Sequence, residues 1–182
     1  MQYIIFMANY KKDLFDHQRT AVSECRRKNP YVFAYLMEMG TGKTITTIHD
    51  MLDLYSDNKI NVVIIFGPKS VYRNWHKEII EYTDQEMKIV TWDPSLKDAE
   101  TKEDLTQILV KQEKGLFVFL MNIESISSKK GFLFLDKFIS KQDKNKIMMI
   151  IDESTTIKTP AAMRTKNMLR VAKDVKYKRI LT

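Results

Sequence analysis

Unbroken apolar runs, each long enough for a strand and too short for a helix, recur along the chain. They lie at 62–66 (Val-Val-Ile-Ile-Phe), 116–120 (Leu-Phe-Val-Phe-Leu) and 147–151 (Ile-Met-Met-Ile-Ile). A strand with one wet face alternates apolar and polar residues, whereas an unbroken run belongs to a strand covered on both faces, as in a parallel sheet. Weaker strand signals lie at 31–37, 88–91 and 177–181. Between the runs, residues 44–55, 71–82, 101–113, 132–141 and 161–173 space their apolar side chains as helices do. This alternation predicts an α/β fold, a mostly parallel sheet with helices on both faces. Right-handed crossovers then gather the strand C-termini along one edge, where such sheets bind ligands. Residues 1–29 read as a short strand and a helix over 16–28, residues 93–103 as a surface loop, and residues 126–131 as an exposed connection.

The 182 residues make one ordinary domain. No apolar run reaches the length needed to span a bilayer. Thirty Lys and Arg against 23 Asp and Glu leave a net charge of +7, which points to an acidic partner, nucleic acid first, or to solvated lysines. Cys25 is the single cysteine, so no internal disulfide can form, and a reducing cytosol fits. It lies on a basic stretch, Arg26-Arg27-Lys28, that would lower its pKa. A structural thiol is the other reading. His17, His49 and His76 show no metal-ligand spacing.

The strongest chemical signal is Met37-Glu38-Met39-Gly40-Thr41-Gly42-Lys43-Thr44, set between a strand and a helix. That is the setting of a phosphate-binding loop. Gly40 and Gly42 let the backbone turn its N–H groups inward around phosphate oxygens. The helix that follows adds its positive N-terminus. Lys43 supplies a point charge for the β- and γ-phosphates, and Thr44 a hydroxyl ligand for magnesium. Met37 stands where the common pattern has its first glycine.

A second signal closes the apolar run 147–151, where Asp152-Glu153 places two adjacent carboxylates at a strand end. In a phosphate-loop ATPase an Asp here holds magnesium, mostly through water, and the Glu orients and deprotonates the attacking water.

Glu38-Met39-Gly40-Thr41-Gly42-Lys43-Thr44 and Asp152-Glu153-Ser154-Thr155-Thr156-Ile157-Lys158-Thr159-Pro160 resemble motifs I and II of superfamily 2 helicases. The match is best with the SWI/SNF-like branch of DNA translocases, particularly its compact phage-borne versions. Ile157-Lys158-Thr159-Pro160 and the following Arg164-Thr165-Lys166 carry that discrimination. Other segments fall in the family's order. Leu14-Phe15-Asp16-His17-Gln18 resembles the Q motif, whose glutamine reads the adenine edge. Phe66-Gly67-Pro68-Lys69-Ser70, with Asn74 and Trp75 beyond, resembles motif Ia, a contact to the DNA backbone. Ser70 also reads as a helix N-cap, and Trp75 as a core residue. Met121-Asn122-Ile123-Glu124 resembles motif Ib, although helix capping explains Asn122 almost as well.

The resemblance implies a RecA-like P-loop NTPase domain over 1–182, with 1–29 as a Q-motif extension. The chain stops at Leu181-Thr182, where the family's motif III opens, so the second RecA-like lobe and its arginine finger are not in it. The family's cofactors are ATP and magnesium, and its partner is duplex or branched DNA bound without sequence preference. The expected residues are Gln18, Gly40, Thr41, Gly42, Lys43 and Thr44 for nucleotide, and Thr44 and Asp152 for metal. Glu153 and Lys43 serve catalysis, and Lys69, Ser70 and Asn122 serve DNA. The expected setting is a cytoplasmic monomer, in the host cytoplasm if phage-encoded. Thr155 departs from the His or Asp often found there. A single-lobed nucleotide- or DNA-binding module without motor activity is the competing reading.

Overall fold

The computed structural model describes residues 8–92, 115–153, 157 and 159–182, with Tyr72 described by its backbone alone. The loop expected at 93–103 and the helix expected at 101–113 fall outside the described residues.

In chain order the elements are α1 (Asp16–Lys28), β1 (Val32–Tyr35), α2 (Lys43–Ser56), β2 (Val62–Gly67), α3 (Lys69–Tyr82), β3 (Met87–Trp92) and β4 (Leu116–Asn122). A 3₁₀ turn (Ile123–Ser127) leads into α4 (Lys129–Lys141). Then come β5 (Ile147–Ile151), α5 (Met163–Lys173) and β6 (Tyr177–Leu181). The six strands form one sheet in the order β1-β6-β5-β2-β4-β3, and every pairing is parallel. All strand C-termini therefore lie on one edge.

The unbroken apolar runs became the interior of this sheet. Every residue of β2 and β5 is buried. Val62, Ile64 and Phe66 pack on one face with Leu135 and Phe138 of α4 and Met168 and Val171 of α5. Val63 and Ile65 pack on the other with Ile48 and Met51 of α2, Trp75 and Ile79 of α3, and Cys25 of α1. Each such side chain contributes about 1.5–3 kcal/mol by leaving water. β1 and β3 form the edges, and their burial is broken accordingly.

Packing also rescues a weak helix. Thr44-Ile45-Thr46-Thr47-Ile48 is a β-branched run that disfavours a helix. The Thr46 and Thr47 hydroxyls donate to the carbonyls of Gly42 and Lys43, both at 2.8 Å. Ile48, Met51 and Leu52 are fully buried beneath the sheet.

Residues 127–130 are exposed, as expected of this connection, but its two ends are not. Ile126 is fully buried, and Gly131 lies inside α4. The Ser128 hydroxyl accepts from the Gly131 N–H at 3.0 Å and starts α4 three residues before the apolar spacing begins. The isolated bridge between Tyr10 and Thr83 is antiparallel and sits beside the sheet.

Candidate nucleotide site

The loop between β1 and α2 is shaped by two left-handed glycines, Gly40 at φ 80° and Gly42 at φ 85°. Such angles cost a residue with a Cβ about 1–2 kcal/mol. Gly42 is the N-cap residue of α2, so the helix begins at Lys43, one residue before the apolar spacing predicts. The Thr41 hydroxyl donates to the Glu38 carbonyl at 2.7 Å. The Lys43 ammonium is folded back onto its own loop, donating to the carbonyls of Met37 at 2.9 Å and Glu38 at 3.2 Å. A phosphate would compete with these two carbonyls for the ammonium, with full charge in its favour.

A brace from α1 holds the loop. Gln18 is buried, and its amide is used at both ends. Its Oε1 accepts from the Phe15 N–H at 2.9 Å, and its Nε2 donates to the Thr41 carbonyl at 3.0 Å. His17 Nε2 donates to the same carbonyl at 3.0 Å. A cavity of about 200 Å³ opens here, lined by Lys12, Phe15, Gln18, Thr41 and Tyr82 among others. The Lys12 ammonium lies 5.3 Å from the Tyr82 ring centroid. The sequence shows only that His17 lacks metal-ligand spacing, and its bond to the loop is not legible there. Its place one residue before Gln18 on the same helix was the available signal.

The second half of the site closes β5. The Asp152 N–H continues the strand by donating to the Phe66 carbonyl at 2.8 Å. Asp152 Oδ1 accepts from the Glu153 N–H at 2.9 Å, and Oδ2 accepts from the indole N–H of Trp75 at 2.8 Å. Glu153 is exposed and holds φ 53°, an uncommon angle for a residue with a side chain. Such a conformation costs about 1–3 kcal/mol and gathers at functional sites.

Glu78 of α3 senses both halves. Burial raises its carboxyl above the usual carboxylate range, the Thr44 side chain lowers it by hydrogen bonding, and Glu81 and Asp152 raise it by repulsion. Thr44 lies in the first turn of α2 and Asp152 follows β5, so loop and acid both lie at the C-terminal edge of the parallel sheet. Helices α2 and α3 pack together, which holds that arrangement. Among the described residues no group of three or more His, Cys, Asp or Glu side chains could hold a metal ion. Magnesium asks for less, since one or two carboxylates with phosphate and water complete its shell. A hydroxyl at Thr44 and a carboxylate at Asp152 fit that demand.

The proposed DNA residues share this edge. Gly67 and Asn122 are register partners at the ends of β2 and β4. Lys69 and Ser70 follow Gly67 at once as the first residues of α3. Ser70 is not the N-cap. Pro68 takes that place, because its extended backbone precedes the helix at φ −55° and ψ 157°. Ser70 therefore sits in the first turn, where backbone N–H groups lack helical partners. Asn122 does cap, its Oδ1 accepting from the Glu124 N–H at 2.9 Å. Ser154, Thr155, Thr156 and Lys158 fall outside the described residues. Ile157 is tied to α5 through its carbonyl, which accepts from the Thr165 hydroxyl at 3.2 Å.

A parallel sheet in this order, a glycine loop ahead of α2 and an acidic pair after β5 give the chain the form of a RecA-like ATPase lobe. Residues 11–182 match the family described as "Type III restriction enzyme, res subunit", and the chain belongs to it. The human "DNA excision repair protein ERCC-6-like" is 25% identical over 154 residues, which is 80% of this chain and 11% of that protein. Among solved structures, the "Sulfolobus solfataricus SWI2/SNF2 ATPase core in complex with dsDNA" superposes with a TM-score of 0.69 at 21% identity, over 99% of this chain and 34% of that one. The nuclease-deletion mutant of the Type ISP restriction-modification enzyme LlaGI, in complex with a DNA substrate mimic, gives 0.61 at 17% identity, over 94% of this chain and 17% of that one. The structural likeness is one of fold. The chain spans about a tenth of the human relative and about a third of the archaeal core.

Proposed function

We propose that the chain is the ATP-binding lobe of a DNA-dependent ATPase of the helicase or translocase type, the first of two RecA-like lobes. The observation that carries this reading is the glycine loop opening α2 and the Asp152-Glu153 pair following β5, both at the C-terminal edge of the parallel sheet. Loop amides, Lys43 and the α2 N-terminus bind the triphosphate, and the cavity beside Gln18 receives the base. Thr44 and Asp152 hold magnesium, which supplies charge neutralisation on the phosphates when bound. The Glu153 carboxylate orients a water and accepts its proton. Lys69, Ser70 and Asn122 meet the DNA backbone, so binding is sequence-tolerant and weakens with salt.

An arginine finger is worth about 10³–10⁵ in rate for phosphate-loop NTPases. The family carries it on the second lobe, so this chain binds nucleotide and turns over slowly by itself. A buried single cysteine agrees with a cytoplasmic setting, and no helix among the described residues is long and apolar enough to cross a membrane. The test is equilibrium binding of a fluorescent ATP analogue with Lys43→Ala beside the wild type, then of duplex DNA at two salt concentrations. Nucleotide affinity that survives Lys43→Ala refutes the site. Fast hydrolysis by this chain refutes the need for a second lobe.

A further inference from the structure

We infer that Trp75 is a positioning residue for Asp152: its indole N–H, at 2.8 Å from Oδ2, sets the carboxylate in the orientation that receives the metal. The inference rests on the reading of Asp152 as the metal-holding acid and adds a residue to it.

Trp75 is 1% exposed and packed among the apolar side chains beneath the sheet, so its ring has no freedom to follow a moving partner. An indole can donate one hydrogen bond and accept none. A buried Trp usually finds a partner for that donor. Here the partner is a carboxylate at the mouth of the site, 77 residues further along the chain. Asp152 is held from two directions. The bend just after β5 supplies the Glu153 N–H to Oδ1, and α3 supplies the indole to Oδ2. Two donors on two oxygens fix the carboxylate plane, and the lone pairs left over are those available to a metal or its waters. Glu78, three residues after Trp75, interacts with Thr44. One helix thus touches both groups proposed to hold the ion. Partners of this kind tune metal ligands, and losing one costs about 10–100-fold in metal affinity or activity.

The experiment compares wild type with Trp75→Phe, which keeps a ring and removes the N–H. Binding of a nonhydrolysable ATP analogue is measured by calorimetry in EDTA and in excess magnesium. The expected result is unchanged affinity in EDTA, where only the loop acts, and a loss of about 10-fold or more with magnesium. Equal losses in both conditions, or none in either, overturn the positioning role. A second measurement leaves Trp75 in place. Trp75 and Trp92 are the only tryptophans, so Trp92→Phe makes Trp75 the sole indole. Trp92 packs on Phe134, and its ring N–H is buried without a hydrogen-bond partner among the described residues, so phenylalanine suits that site. Adding magnesium to the analogue-bound variant changes Trp75 emission, and Asp152→Asn abolishes the change. Unaltered emission overturns the inference. A wild-type chain that ignores magnesium or binds no analogue refutes the phosphate-loop reading itself, and the inference falls with it.

Discussion

Arg179 Nε donates to Asp50 Oδ2 at 2.6 Å, and both side chains are fully buried. The pair bolts β6 to α2, the helix that carries Lys43 and Thr44 at its start. Arg179 also donates to the carbonyls of Pro30 at 3.0 Å and Lys178 at 2.9 Å, so its fork is well used. Burial works against the guanidinium charge, but Asp50 outweighs it and raises the Arg179 pKa above its ordinary value. Breaking such a pair leaves an unpaired buried charge, which costs about 3–5 kcal/mol. Arg179→Met alone is expected to lose that much in urea denaturation. Replacing both residues, as Arg179→Met with Asp50→Leu, is expected to restore most of it, because no buried charge remains. A double variant as unstable as the single one defeats this account.

The two loop glycines separate strain from crowding. Both hold positive φ, and Ala at either place carries a similar backbone penalty of about 1–2 kcal/mol. A Cβ on Gly40 meets nothing within 4 Å, whereas one on Gly42 would sit 2.3 Å from Gln18 Nε2 and 3.1 Å from the Ile45 side chain. Gly42→Ala must therefore also displace the Gln18 brace. Thermal unfolding is expected to show a larger drop in Tm for Gly42→Ala than for Gly40→Ala. Adding Gln18→Ala to each separates the two causes, since it removes the severest contact at Gly42, leaving only the one to Ile45, and changes nothing around the Gly40 Cβ. Equal shifts in all the variants contradict the brace.

The sheet was legible because its signal is local. An unbroken run such as 147–151 has one place in an α/β fold, and β5 spans those residues. The glycine turn into α2 and the place of Asp152-Glu153 at the end of β5 were legible because each adjoins a strong strand or helix signal. What hid from the sequence is what depends on approach between distant segments. Trp75 at helical spacing reads as core, and it is core. Nothing local shows that its N–H meets an acid on another element. Arg179 lies within the strand pattern 177–181, and its charge was the one hint of a buried acid across from it. Residues 126–131 looked exposed because Ser127, Ser128, Lys129 and Lys130 are polar. There the cap at Ser128 turns those side chains outward while Ile126 and Gly131 go inside.

His49 links stability to pH. Its Nε2 donates to the Lys12 carbonyl at 2.9 Å, and its ring stacks on Tyr10 with centroids 4.0 Å apart. Burial lowers its pKa, with the Lys12 carbonyl, Asp53 and Asp13 acting in the other direction. The unfolded imidazole titrates near a pKa of about 6.5. Below that value the unfolded chain takes up a proton that folded His49 resists, so stability falls as pH drops toward the lower folded pKa. Above it the two states bind equally and this contribution is fully present. Urea midpoints at neutral and mildly acidic pH are expected to separate for the wild type. In His49→Gln, which keeps a donor for Lys12, the separation is expected to shrink. An unchanged separation assigns the acid sensitivity to other groups.

Cys25 is the structural thiol of the two readings, and its basic neighbours do not lower its pKa. The side chain is fully buried on α1 against the sheet, and Arg26, Arg27 and Lys28 lie in the helix's last turn. Burial pushes the thiol up to about 11, with Asp50 adding to the rise and Arg179 and Arg26 only partly offsetting it. The thiolate is the reactive form, so both protonation and burial protect the sulfur. Alkylation by iodoacetamide at mildly alkaline pH is expected to be slow in the native chain and rapid in urea, with a rate that follows the unfolded fraction. Because Asp50 adds to the rise, Asp50→Leu with Arg179→Met tests the cause. Burial alone should keep the sulfur protected in that variant if it still folds. Fast native labelling of the wild type would place Cys25 on a surface, and with it the packing of α1 against β1 and α2 would have to be redrawn.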